Sequence, residues 1–169
     1  MKKKLVKNKD GLLSVNKKPS QQELKNLYKN LYYQKNLSKT YKKRYSHDEI
    51  KFNELNFLLF QLFFKRKHKS ILDIGTGEGY LLSFFIKQNY KCYGVDYSKH
   101  GMISQNPRLL KKIEFVNCDI IEDNFFIGKT FDIIFLMNVA EHVPNFNILI
   151  KKIYKKLRKD GLLIIKVPN

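Results

Sequence analysis

A doubly wound α/β fold, with a mainly parallel sheet of five strands and an N-terminal helical extension, is predicted by three features of the sequence. From residue 70 onward short apolar runs alternate with helical patterns, as parallel strands joined by right-handed crossover helices require. The first of these runs is Ile71-Leu72-Asp73-Ile74-Gly75-Thr76-Gly77-Glu78-Gly79, which ends in three glycines at alternate positions and passes at once into an apolar helical segment. With 169 residues, 43% of them hydrophobic, the chain can bury one sizeable core.

Taken in order, Leu5 to Val15 holds Lys9-Asp10-Gly11 between two apolar pieces, a small hairpin. Ser20 and Glu23 then form a capping box. Leu24, Leu27, Tyr28, Leu31 and Tyr32 recur on one helical face that runs out near Gln34. Residues 35–45 are lysine-rich and polar and read as a loop. Ser46 and Glu49 make a second capping box, opening a longer helix. Ile50, Phe57, Leu58, Phe60, Leu62, Phe63 and Phe64 make its second half apolar nearly all round, so it is expected to be buried between other elements. The basic run at 65–69 reads as complementing the negative end of that helix. Strands are expected at 70–74, 91–95, 113–117, 131–136 and 162–167, and helices at 80–88, 98–105 and 146–159. The chain thus divides into an extension, residues 1–69, and a core, residues 70–169.

Strand, glycine turn and helix together offer backbone N–H groups and a positive helix end to a ligand. A dinucleotide fingerprint needs its third glycine one place later, where this chain has Tyr80. Asp73 and Glu78 also set two carboxylates beside the turn, where a pyrophosphate would be repelled and a net cationic ligand accommodated. Asp96 closes the second strand 21 residues after Gly75, the spacing at which a carboxylate grips ribose hydroxyls; the alternative is a helix cap. Tyr97 beside it offers a flat apolar wall. Asp119 and Ile120 end the third strand, and a lone aspartate there is also a common turn former.

The glycine nonamer resembles the first motif of class I S-adenosylmethionine-dependent methyltransferases, whose core is Rossmann-like. That resemblance implies S-adenosyl-L-methionine as cofactor, held by Asp73, Gly75, Thr76, Gly77, Gly79, Asp96 and Tyr97. It further implies Asp119 on the adenine amino group and Ile120 on its ring. The loop Asn138-Val139-Ala140-Glu141-His142-Val143 resembles the E-x-x-E-H-V loop of ubiquinone-type O-methyltransferases and small-RNA 2′-O-methyltransferases. Asn138 replaces the first acid, which weakens a hard-cation site, so no metal is assigned and Asn138 is placed on the cofactor side. His142 is the expected general base for a hydroxyl acceptor, with Glu141 beside it; the alternative is an ordinary loop imidazole. The tyrosine-rich N-terminal part and the closing Val167-Pro168-Asn169 resemble bacterial methyltransferases of polysaccharide and sugar-nucleotide pathways. Measured against that family the core is expected to be truncated after its fifth strand, leaving an apolar edge open to self-association.

The formal net charge of +18 raises an RNA methyltransferase as an alternative. Only four of the 33 basic residues are arginine, however, and arginine is what nucleic-acid sites favour for bidentate contacts. A small-molecule acceptor, a sugar or related metabolite, is therefore the leading expectation. A truncated, inactive cofactor-binding or interaction protein is the third. No stretch approaches the roughly 20 apolar residues of a membrane helix. Cys92 and Cys118 lack metal-binding spacing and read as reduced thiols of a cytoplasmic protein.

Overall fold

The computed structural model describes residues 5–7, 9, 11, 13–15, 19–28 and 45–168. A short antiparallel hairpin, β1 (Leu5–Lys7) and β2 (Leu13–Val15), precedes α1 (Gln21–Asn26) and α2 (His47–Gln61). Both capping boxes form: Ser20 and Ser46 each accept an N–H three residues on, and Glu23 and Glu49 reach back. The expected continuation of the first helix toward Gln34 and the loop at 35–44 lie outside the described residues.

The core follows as β3 (Ser70–Ile74), α3 (Tyr80–Ile86), β4 (Lys91–Asp96), α4 (His100–Gln105), β5 (Glu114–Asn117), β6 (Phe131–Met137), α5 (Phe146–Lys156) and β7 (Leu157–Lys166). All five core strands are parallel, in the order β5-β4-β3-β6-β7. The chain therefore builds outward from β3 to β5 and returns to β3's other side with β6. This reversal opens a crevice at the carboxyl ends of β3 and β6.

Alternate strand residues feed two cores, since successive side chains point to opposite faces. Leu72, Ile74, Val95, Ile134 and Leu136 pack with Leu149 and Ile153 of α5. Ile71, Ile133 and Phe135 pack on the other face with Phe57 of α2, Leu82 and Phe85 of α3, and Met102 of α4. Each such side chain, fully removed from water, contributes about 1.5–3 kcal/mol. Phe57, Phe60, Phe64, Phe85 and Phe135 form an aromatic cluster that joins α2 to the sheet, with the Phe85 and Phe135 rings 5.6 Å apart.

Three expectations need correction. α2 is not buried all round: Phe57 is buried, but Phe52 is 64% and Leu62 78% exposed, with Leu55, Leu58 and Leu59 also exposed. The helix covers the sheet from one side, and among the described residues no further layer lies on its outer face. The basic run does not sit in the last turn of α2, which holds no basic residue. Lys67 instead pairs with Asp160 at 3.0 Å, and buried His68 accepts the Lys65 N–H on Nδ1. Finally, α5 stops at Lys156 and β7 begins at Leu157, with an irregularity between the pairs Phe131–Leu157 and Ile133–Leu162. Asp160 there has φ +64°, and a Cβ on Gly161 would lie 2.9 Å from the Arg158 carbonyl oxygen. Asp160-Gly161 thus lies in a register irregularity of β7, where the sequence places the gap between a helix ending at 159 and a strand starting at 162.

Candidate functional site

Gly75, Gly77 and Gly79 all have left-handed φ, between +54° and +78°, which only glycine adopts without cost. Packing adds a second reason. A Cβ on Gly75 would sit 2.3 Å from Val139 Cγ2, and one on Gly79 would sit 2.5 Å from Leu109 Cδ2. The N–H groups of the turn are not turned outward, contrary to the expectation of an open donor set. Gly75 and Thr76 donate to the Val95 carbonyl at 2.8 and 3.2 Å, Gly77 to Asp96 Oδ2 at 2.8 Å, and Gly79 to the Thr76 carbonyl at 2.9 Å. A phosphate would find few donors here.

Carboxylates face the crevice instead. Asp73 is buried and its Oδ1 has no hydrogen-bond partner. Burial, and then the charge of Asp96, push its carboxyl well above the ordinary range. Asp96 is pushed up to about 6 by burial, against the opposing Gly77 and Ser98 N–H groups. Burial also raises Glu78, although its own N–H and the Tyr45 side chain oppose the shift. Buried charge without a counter-charge is costly, so this cluster favours a cation in the crevice.

The crevice has a volume of about 710 Å³, within the usual range for small-molecule sites. Among the expected site residues, Asp73, Gly75, Thr76, Gly77, Asp96 and Tyr97 line it. Ile120, Asn138 and His142 join them from the other strand ends. Gly79, Asp119 and Glu141 are not among the lining residues. Gly79 opens α3. The Asp119 Oδ1 accepts the Ile121 and Glu122 N–H groups at 2.8 and 3.2 Å, and its Oδ2 lies 3.9 Å from Lys25 Nζ. Glu141 Oε1 stands 3.5 Å from His142 Nε2, close enough to orient the imidazole.

Residues before 70 also line the crevice. Tyr28 stacks on Tyr97 with ring centroids 6.2 Å apart and lies 5.8 Å from the His142 ring. Lys25 reaches Glu122 at 2.9 Å, and buried Leu24 lines the crevice. Asn53, Asn56 and Lys166 also line it, and sequence reasoning missed all three. The available signal was two asparagines three apart on one face of α2, and a lysine ending an apolar strand. Among the described residues no group of three His, Cys, Asp or Glu side chains could hold a metal ion, and no helix is long and apolar enough to cross a membrane.

A Rossmann-like parallel sheet with a cofactor-sized crevice at its switch point, lined by carboxylates and an aromatic wall, defines the class of protein. The methyltransferase domain family matches residues 44–169, and the chain belongs to that family. It is 27% identical over 133 residues to an (S)-coclaurine N-methyltransferase of Thalictrum flavum subsp. glaucum, covering 72% of this chain and 36% of the relative. It is 28% identical over 108 residues to a ubiquinone biosynthesis O-methyltransferase of Pelagibacter ubique, covering 61% and 43%. Among solved structures, the plantazolicin methyltransferase BpumL in complex with a pentazolic desmethylPZN analog and SAH superposes with a TM-score of 0.56 at 25% identity. That match covers 70% of this chain and 51% of BpumL. The chain therefore spans less than half the length of these two curated relatives.

Proposed function

We propose that this chain binds S-adenosyl-L-methionine in the crevice and transfers its methyl group to a hydroxyl of a sugar or other small metabolite. The observation that carries the reading is the unpartnered Asp73 Oδ1 beside Asp96 and Glu78 in a turn whose N–H groups are already engaged. A nucleoside bearing a sulfonium and an ammonium relieves those carboxylates, whereas a diphosphate does not. The family match and the SAH in the BpumL complex support the same cofactor.

In this reading Asp96 accepts the ribose hydroxyls, Tyr97 and Ile120 flank the adenine, and Asp73 with Asn138 faces the charged end. When bound, the cofactor supplies an electrophilic methyl group on a positive sulfur. His142 removes the acceptor proton as attack proceeds, which is worth about 10²–10⁴-fold, and Glu141 holds the imidazolium that results. Residues before 70 form the acceptor-side cover through Leu24, Tyr28 and α2. β7 has no further strand beside it among the described residues, and its outer edge is the proposed route of self-association. Sedimentation of a dilution series tests that association.

Calorimetry with S-adenosylmethionine, followed by a methyl-release assay over a panel of hydroxylated sugars, tests the activity. Binding with turnover is expected, and His142→Gln is expected to remove turnover while leaving binding intact. Binding without turnover on any acceptor would favour an inactive cofactor-binding chain. Steeply salt-dependent RNA binding would favour the RNA reading.

A further inference from the structure

The crevice is divided by charge. Asp73, Glu78 and Asp96 all lie on the β3–β4 side, and Lys166, at the end of β7, is the one lysine or arginine among the described residues that line it. Strand register explains its position. Leu162 and Ile164 face the core that α2 covers, and Lys166 continues that column beyond the apolar layer, opposite Met137. α2 shows the same change. Asn53, Asn56, Phe57 and Phe60 follow the three- and four-residue spacing of one helix face, with Phe57 and Phe60 in the core and the two asparagines lining the crevice. The Asn56 amide donates to the Phe52 carbonyl at 2.8 Å, which leaves its side-chain oxygen and one N–H for a ligand. Lys166 has no ion-pair partner among the described residues.

We propose that Lys166, with Asn53 and Asn56 lining the same crevice, forms an anion-reading side of it that selects acceptors carrying a carboxylate or phosphate near the methylated atom. This deepens the functional reading and rests on it. Three carboxylates on the β3–β4 side repel an anion and attract the cationic end of the cofactor, so an acceptor with a negative group is oriented with that group toward β7. Two neutral amide side chains can hydrogen-bond the same oxygens without cancelling the lysine charge. The cofactor's own α-carboxylate offers the same chemistry, and the test separates the two sources.

The full chain, saturated with S-adenosylhomocysteine, is titrated calorimetrically with two matched pairs: glucose 6-phosphate against glucose, and 3,4-dihydroxybenzoate against its methyl ester. The anionic member of a pair is expected to bind about ten-fold more tightly, a difference of about 1.4 kcal/mol. In Lys166→Met that preference falls below about two-fold, while Lys166→Arg retains it and both variants keep S-adenosylhomocysteine affinity within about two-fold of the parent. Equal binding of charged and neutral partners, no binding of either anion, or a preference that survives Lys166→Met overturns the proposal. So does a ten-fold loss of S-adenosylhomocysteine affinity in Lys166→Met, which assigns the lysine to the cofactor carboxylate. Failure of the unsubstituted chain to bind S-adenosylhomocysteine at all is a separate result: it removes the cofactor reading and this proposal with it.

Discussion

The two ends of the same sheet treat buried aspartates in opposite ways. At the amino end Asp132 is surrounded by donors. Its Oδ2 accepts the Lys69 and Ser70 N–H groups at 2.9 Å and the Ser70 hydroxyl at 2.8 Å, and Arg158 Nη1 lies 2.9 Å from Oδ1. Burial pushes this carboxyl up, but those bonds outweigh it and hold it down at about 2. At the carboxyl end Asp73 has an oxygen with no partner, and Asp96 is raised to about 6. The first arrangement ties β3 to β6 and β7. The second leaves negative charge waiting for a ligand, and its cost to the fold is recovered only on binding.

The largest expected effect lies at the carboxyl end. Asp96→Ala should weaken S-adenosylmethionine binding about 10²–10³-fold, from loss of two hydrogen bonds to a charged group. A change below about three-fold in calorimetry would remove Asp96 from the site. The converse belongs to the amino end. Asp132→Asn should lower unfolding stability in urea by about 2–3 kcal/mol, because Arg158 and three donors lose a charged acceptor, with cofactor affinity unchanged. If affinity fell instead of stability, the two ends would not be separable. Next, Asp73→Asn should stabilise the ligand-free protein at neutral pH by about 1 kcal/mol while weakening cofactor binding, the usual exchange at a functional site.

The smallest effect is on pH dependence, and its sign differs between the ends. The folded value of Asp132 is depressed from 3.8, so its stabilisation is complete above about pH 4 and is lost as pH falls toward 2. The folded value of Asp96 is raised from 3.8 to about 6, so ligand-free stability declines as pH rises through that interval. Asp96→Asn should flatten the decline between pH 4 and 6, read as Tm against pH for the ligand-free chain. An unchanged profile would assign the decline to other groups.

The carboxyl end was far more legible in the sequence than the amino end. The glycine spacing, Asp96 and His142 are local patterns, and the structure brings Gly75, Gly77, Asp96 and His142 to one crevice. The donor set of Asp132 joins residues 62 positions apart through strand pairing, which no local pattern reveals. The same limit explains α2. Its apolar second half matches a buried helix, but burial depends on whether a second layer exists, and composition does not carry that information. Asp160-Gly161 falls between the expected helix and strand, and its inclusion in β7 depends on the pairing of Leu157 with Phe131, which no local pattern reveals. The atoms that the Asp119 carboxylate meets, turn N–H groups and Lys25, are likewise not legible from its place at a strand end.

Calorimetric titration of the unsubstituted chain with S-adenosylhomocysteine at neutral pH tests the central claim most directly. A single site with a Kd of about 1–100 μM, absent in Asp96→Ala, is the predicted result. No binding at millimolar ligand, or equal binding by the Asp96→Ala variant, would contradict it.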